Sequence, residues 1–582
     1  MTRSRARFTI TVAQPLRAAR AADGRPEGLR YGAAAVSVTR AVSRAAAAIV
    51  TAASLLIVSR TVTTVAASHP PIPEFHTSDR CIACHNGLMT PSGEDVSIGY
   101  DWRASMMANS SRDPYWQASV RRESLDHPES TAAIEDECSI CHMPIPRYGA
   151  KLRGEHARVF SHLPFAADKK EGREAADGVS CAVCHQIGRQ KLGTADSFNG
   201  GFVIDAPADP NARPEYGPFE IEPGHRRIML SSTEGYRPTQ SDHIRESEMC
   251  ATCHTLLTQA LGPGGRAIGR LAEQVPYQEW LHSEFKGTQS CQSCHMPTVS
   301  EPSPITRVFG APREGAARHL FVAGNFFMQR MLNRYRDTLD VAALPQELTS
   351  AAERTIQYLQ TRAATLRIEA LQADAGMLRA DLVVENLGGH KLPTGYPSRR
   401  AWLHVTVRDG SSRIVFESGG LNPDGSIRGN DNDADASRFE PHYAQVRSAD
   451  QVQIYETIMG DVNGAVTTGL LTGVAYLKDN RLLPRGFDKR TAEPDITVHG
   501  GAVDDGDFVG AGDRVAYAVP VPEGSGPFTV DAELLYQPIG YRWATNLKPY
   551  NAPEPQRFAS YYDAMAAGSA AVLARATTST RP

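Results

Sequence analysis

The 582-residue chain has no glycine-rich nucleotide loop, no GxSxG elbow and no HExxH pair, so nothing points to nucleotide-driven chemistry, serine hydrolysis or zincin-type proteolysis. Cysteine is absent from residue 295 onward. The first 67 residues hold ten arginines, no lysine, and only Asp23 and Glu27 as acids. They end in AAAAIVTAASLLIVS (Ala45–Ser59), a mostly uncharged run too short for a comfortable membrane span. Arg40 and Arg44 precede this run and the small residues Val65–Ser68 follow it, the pattern of a secretory signal cleaved near Ala67. Arg60 closes the run sharply, which makes an uncleaved anchor the alternative. The roughly 35 residues ahead of the run are long for an n-region and place the functional start further in. Removal of residues 1–67 leaves 51 basic and 63 acidic side chains, a net charge of −12. An acidic, exported protein is a poor partner for nucleic acid and suits basic patches on other proteins.

What is present is a fivefold pattern. All ten cysteines lie in CIACH (Cys81, Cys84, His85), CSICH (Cys138, Cys141, His142), CAVCH (Cys181, Cys184, His185), CATCH (Cys250, Cys253, His254) and CQSCH (Cys291, Cys294, His295). With 18 histidines in 582 positions, five of five following the second cysteine is far beyond chance. CxxCH lets two thiols form thioethers with the two vinyl groups of a haem, while the next residue places an imidazole under the iron. Disulfides or zinc sites would not require a histidine after every pair. Five covalently attached c-type haems are therefore expected. The first cysteines are spaced by 57, 43, 69 and 41 residues, too little chain for separate haem domains. The porphyrins must supply much of the core between residues 75 and 335 and lie close together.

The expected fold class is α+β: a loop-rich, mainly α-helical multihaem region followed by an antiparallel β-sandwich. The segments read as a signal and extension (1–67), a pentahaem region (68–340), a helical linker (341–362), the sandwich (363–548) and a C-terminal tail (549–582). FFMQRMLNRYR (Phe326–Arg336) places Phe327, Met331 and Leu332 at helical spacing, and a second helix is expected to start at Thr349 or Ser350, with Glu353 behind it. From about residue 363, eight alternating segments from TLRIEAL to FTVDAELLY, some separated by turns such as DGSS at Asp409 and GSG at Gly524, read as strands. The tail from Asn551 reads as one Ala-rich helix and then disorder. NDNDADAS around Asp431, Asp433 and Asp435 lacks the glycine and distal glutamate of a calcium loop and reads as a solvated loop.

The residue on the far side of each iron decides function: His or Met there makes an electron carrier, an open position lets small molecules react. Thirteen histidines lie outside the motifs. His319, ahead of LFVAGNFFMQRML, and His390, in the Gly/Pro-rich loop GGHKLPTGYP, are favoured by context. His127 and His162 are candidates through proximity to the second motif. His404, alternating with Leu403 and Val405, reads as structural.

CxxCHMP at the second and fifth motifs, PYQEWLHSEF, HLFVAGNFF and GHKLPTGYPSRRAW resemble the multihaem cytochromes c of the c-552/c-554 class, including bacterial members with an appended β-domain. The likeness covers residues 75–400 well and the β-region more loosely. In that family a WxxSxHA segment followed by Asp-Pro and an aromatic provides a distal histidine. The present chain has Trp102, Ser105, Met107 and Ala108, then Asp113, Pro114 and Tyr115, so the resemblance implies Met107 as a ligand and leaves Met106 to pack. The resemblance implies an electron-relaying protein, periplasmic or extracellular, that meets redox partner proteins and membrane-associated electron-transfer complexes. Its oligomeric state stays open. An alternative is an oxidoreductase acting on a small nitrogen or sulfur compound at one open haem. Pentahaem nitrite reductases match in haem count but carry Lys in the catalytic motif, whereas all five motifs here end in His. A third reading makes the β-region a docking or carbohydrate-binding module.

Overall fold

The computed structural model describes residues 75–205 and 212–581. The expected signal segment and His69 lie outside the described residues. Among the described residues, no helix is long and apolar enough to cross a membrane.

The first half is built from short helices joined by long loops. Those used below are α1 (Ser78–Ile82), α2 (Pro114–Asp126), α3 (Thr131–His142), α4 (Cys181–Gln186), α5 (Ser247–His254), α6 (Pro276–Leu281) and α7 (Cys291–His295). Local chemistry starts α2: Pro114 sits at its first position, and the Asp113 carboxylate accepts from the N–H groups of Tyr115 (2.8 Å) and Trp116 (3.2 Å). Two small sheets interrupt the helices. Strands β1 (Arg213–Gly217) and β2 (Tyr236–Gln240) pair in parallel, and β3 (Leu256–Gly262) and β4 (Arg266–Gln274) form a hairpin directly after α5. The hairpin signal was in the sequence as alternating LLTQALG and RAIGRLAEQ around a Pro-Gly-Gly turn.

Helices α8 (Phe326–Arg334) and α9 (Pro345–Arg362) lead into the second half. Phe326, Phe327, Met331 and Leu332 bury one face of α8, as their spacing predicts. Helix α9 starts earlier than expected. Pro345 occupies its first position and the Glu347 carboxylate reaches back to the Leu344 N–H at 2.9 Å, a stronger start than Thr349 or Ser350 could provide.

The remaining strands are β5 (Ala364–Asp374), β6 (Met377–Asn386), β7 (Arg400–Arg408), β8 (Ile414–Ser418), β9 (Gln445–Val446), β10 (Ile454–Tyr455), β11 (Thr457–Gly460), β12 (Val466–Thr467), β13 (Ala475–Asp479), β14 (Gly512–Pro520), β15 (Thr529–Gln537) and β16 (Ala571–Ser579). Ala375 (φ 48°) and Gly376 (φ 73°) close the β5–β6 hairpin with two left-handed residues, whose twist matches that of the strands. One sheet has the order β10-β7-β15-β16, with β8 also on β7; a second has the order β5-β6-β14-β9; and a third has the order β12-β11-β13. Pairing is antiparallel except that β9 lies parallel to β14.

The C-terminal segment differs from expectation. After α10 (Pro553–Asp563), the alternating Val572–Thr578 stretch forms β16 and hydrogen-bonds along β15 instead of being disordered. The acidic segment also differs. Asp433 is buried and takes both ends of the Arg400 guanidinium at 2.8 and 2.9 Å, so NDNDADAS is tied into the fold.

Among five apolar clusters, one joins the two halves. Tyr115 and Ala118 of α2 and the buried face of α8 share it with Leu382 of β6, Leu403 and Val405 of β7, Val515 of β14 and Leu534 of β15. The described residues accordingly lie within one compact unit.

Candidate haem-attachment sites

Each CxxCH motif lies in or at the end of a short helix, which turns the two cysteines toward one side and leaves the histidine one position beyond. Serines organise the motifs in pairs. Ser180 and Ser290 cap α4 and α7 by accepting from the N–H groups of Val183 (3.2 Å) and Ser293 (3.3 Å). Ser78, three residues before Cys81, accepts from the Cys181 N–H at 3.1 Å; Ser247, three residues before Cys250, accepts from the Cys291 N–H at 3.1 Å. One device therefore joins the first motif to the third and the fourth to the fifth.

The thiols follow this pairing and add a contact between the second motif and the fourth. Cys81 contacts Cys181, Cys250 contacts Cys291, and Cys253 contacts Cys141. These contacts, then burial, hold the Cys81, Cys250 and Cys253 thiols well above the usual range, whereas the contact with Cys250 brings Cys291 down to about 7. Burial, then neighbouring charges, pushes Cys184 up to about 12 and raises Cys138. The fourth motif thus touches the second and the fifth, and the Cys184 thiol of the third lies within electrostatic range of Cys250 and Cys253.

The five motif histidines share one tautomer. Their Nδ1–H groups face oxygen acceptors: the carbonyls of Ile305 (2.6 Å, from His85), Ser110 (3.0 Å, from His142), Tyr216 (2.6 Å, from His185) and Val322 (2.5 Å, from His295), and the Gln274 Oε1 (3.3 Å, from His254). Nδ1 donation leaves the Nε2 lone pair free, the state a metal-ligating imidazole requires. Burial lowers all five, His142 and His295 to about 4, and so favours the neutral ring. This donor set fits haem iron. Trp116 stacks on His142 with centroids 4.4 Å apart and planes 3° from parallel, an orienting contact that sequence reasoning missed.

Two non-motif histidines lie opposite motif rings. The His319 and His185 rings have centroids 6.3 Å apart with planes 21° from parallel; for His390 and His295 the values are 6.2 Å and 9°. A metal–imidazole bond is about 2 Å and the ring centre lies about 1 Å further, so two rings on opposite sides of one metal have centroids roughly 6 Å apart. The Nδ1–H groups of His319 and His390 also face carbonyls, those of Ala317 (3.1 Å) and Lys391 (3.0 Å). Burial, then the neighbouring His185, brings His319 down to about 3.

The other expected ligands are placed differently. His127 is buried with its Nε2 unpartnered, and His162 sits half-buried in a 3-10 turn, but neither ring pairs with a motif ring in this way. Met107 lies in the segment that links two motifs: its carbonyl accepts from the Val179 N–H (2.9 Å), close to Cys181, and Ser110 receives His142. Met106 packs against the main core. His282 has its Nδ1–H on the Gln278 carbonyl at 3.0 Å, the ligand tautomer, although sequence context did not single it out. His76, His225, His243 and His404 use Nε2 in hydrogen bonds or ion pairs within the protein.

A second candidate metal cluster lies in the β-strand half, where ligand atoms of His442, Asp505 and Asp513 fall within 4.8 Å of one another. The hydrogen bonds oppose a metal there. The amides of Gln453 (2.9 Å) and Asn480 (3.1 Å) both donate to His442 Nδ1. Their orientations are set by the N–H groups of Tyr443 and Glu456, which donate to their oxygens. His442 Nε2 must then carry the proton, and it donates to Asp505 at 3.0 Å.

No protein-family model matches the chain, and no curated protein matches it. Among solved structures, the crystal structure of a penta-heme cytochrome c552 from Thermochromatium tepidum aligns with a TM-score of 0.47 and 15% identity, covering 88% of this chain and 99% of that one.

Proposed function

We propose that the chain is an exported c-type cytochrome that carries five covalently attached haems and relays electrons between redox partner proteins. The observation that carries this reading is the pair of near-parallel imidazole couples, His185 with His319 and His295 with His390, at the spacing of two ligands on one metal. Cys81, Cys84, Cys138, Cys141, Cys181, Cys184, Cys250, Cys253, Cys291 and Cys294 would hold the macrocycles, and the motif histidines would hold the irons. When bound, each iron supplies one-electron ferric/ferrous chemistry. Everything else required of the protein is positioning. The serine bridges and thiol contacts bring neighbouring attachment points together, and the facing imidazoles would occupy both sides of two sites and keep small molecules out.

The β-strand half, which we read as a sandwich, supplies His390 to the fifth site. That favours one electron-transfer unit over a separate docking module. Met107 remains our candidate for a further distal position, with His127 and His162 as the other expected donors. The intact mass of the exported protein tests the haem count: it should exceed the polypeptide by five haems, and fewer would refute the proposal.

A second reading is supported by one observation. Among the described residues, no imidazole is paired with His85, His142 or His254 as His319 is with His185. An oxidoreductase acting on a small nitrogen or sulfur compound would use such a position. A high-spin ferric EPR signal that shifts with nitrite, hydroxylamine or sulfite would select it.

A further inference from the structure

Lys391, next to His390, is fully buried, and so is the group of charges around it. Its Nζ donates to Asp479 Oδ2 at 2.7 Å and to the Thr497 carbonyl at 3.3 Å. Asp479 also takes Arg481, through Nε at 2.9 Å and Nη2 at 2.7 Å. Arg481 Nη1 lies 2.9 Å from Glu279 Oε1 as an ion pair out of hydrogen-bonding alignment. Glu279 Oε2 accepts from the Lys391 backbone N–H (3.1 Å) and the Thr394 hydroxyl (2.6 Å). Two cations and two anions thus neutralise one another with little exposure to water.

The four charges come from three places. Glu279 is on α6 in the motif-bearing half, Asp479 ends β13 with Arg481 just beyond, and Lys391 is in the loop between β6 and β7. That loop is held elsewhere as well. Asn386 Nδ2 donates to the His390 carbonyl at 2.8 Å, and Leu392 and Leu482 exchange backbone hydrogen bonds at 2.9 Å. At Gly389 a Cβ would come within 3.3 Å of Phe285 and Trp280, so the loop runs hard against α6 and the segment that follows it. Breaking a buried ion pair leaves an uncompensated charge, so displacing any one member of the cluster is opposed.

We infer that the Lys391–Asp479–Arg481–Glu279 cluster is the positioning device for His390: it clamps the loop between the two halves of the molecule so that the imidazole stays opposite His295. The inference rests on the proposed role of His390 as a haem ligand and assigns the duty of holding it to residues that touch no haem. A second basic neighbour has the same placement: Arg318, next to His319, is held by Asp101 through Nε (2.6 Å) and Nη2 (2.9 Å).

The experiment uses holoprotein, comparing Lys391→Met with His390→Ala and Lys478→Met. Lys478 is an equally buried lysine of β13, paired with Glu456 at 3.0 Å and outside the His390 loop. His390→Ala should turn one haem in five high-spin by ferric EPR, with added imidazole restoring the low-spin signal. Lys391→Met should affect the same haem in the same way with all five haems retained, whereas Lys478→Met should lower the denaturation midpoint and leave the spin state unchanged. A Lys391→Met protein with an unaltered spectrum, or a Lys478→Met protein with the same spin change, overturns the positioning role. An unaltered His390→Ala protein overturns the ligand assignment and the positioning role with it. If Lys391→Met does not accumulate, Thr394→Val decides: carbon monoxide should bind one ferrous haem about tenfold faster, the equivalent of one charge-assisted hydrogen bond, and an unchanged rate refutes the role.

Discussion

Replacing Asp101 by alanine tests how the other distal candidate is held. Arg318 makes two charge-assisted bonds to Asp101, which is 6% exposed, and a further ion pair to the half-exposed Glu94. Hydrogen bonding to Asp101 is the main reason the Arg318 guanidinium binds its proton more tightly than usual. Each such bond contributes about 1.5–3 kcal/mol when buried. Arg318 is 16% exposed and keeps Glu94, so the combined loss should be about 2–3 kcal/mol. Unfolding entropy of about 2.1 cal/mol/K per residue, over a chain of this size, converts that loss into a fall in Tm of about 2 °C. The more specific readout is spectroscopic: Arg318 adjoins His319, so the haem facing His185 alone should gain high-spin character in Asp101→Ala. The reasoning is refuted if the midpoint falls while every haem keeps its spectrum, or if all five haems change together.

His319→Ala should convert one low-spin haem to high-spin, restored by imidazole, and should be additive with His390→Ala because the two rings face different motif histidines. Met107→Ala should abolish a weak sulfur-to-iron charge-transfer band in the near-infrared; an unchanged band rejects Met107 as a ligand. Burial raises Asp513 to about 7, against about 3.9 in the unfolded chain, and leaves its Oδ1 unpartnered. A raised carboxyl contributes stability that is complete below about pH 4 and lost as pH rises to about 7, so Asp513→Asn should gain in denaturation midpoint relative to the parent at pH 8 and lose that gain at pH 4. An equal difference at both pH values would refute the assignment.

The five CxxCH motifs could be singled out as candidate attachment points because covalent haem attachment would require a fixed residue type and spacing within five positions. His319 and His390 were singled out from local context, but their partners were not readable, since His185 and His295 lie far from them in sequence and only the fold supplies the 6.3 and 6.2 Å spacings. Choosing His127 and His162 by closeness in sequence found no facing ring, because chain proximity does not determine which side of a motif a loop crosses. His404 was readable as structural, and its ring lies between Glu417 (3.1 Å) and Glu533 (3.2 Å). Alternation identified eight strand segments of the second half but not β1–β4, β9, β12 or β16, and the parallel β1–β2 and β9–β14 pairings depend on contacts that no local pattern encodes. The Lys391 cluster was unreadable for the same reason: Glu279, Lys391 and Asp479 meet only once the two halves share a core.

Low-temperature EPR of the fully oxidised protein tests the central claim most directly. Imidazole planes 21° and 9° from parallel predict two haems with rhombic low-spin spectra, lost one at a time in His319→Ala and His390→Ala. A spectrum without rhombic low-spin haem, or one that both substitutions leave intact, would contradict the account.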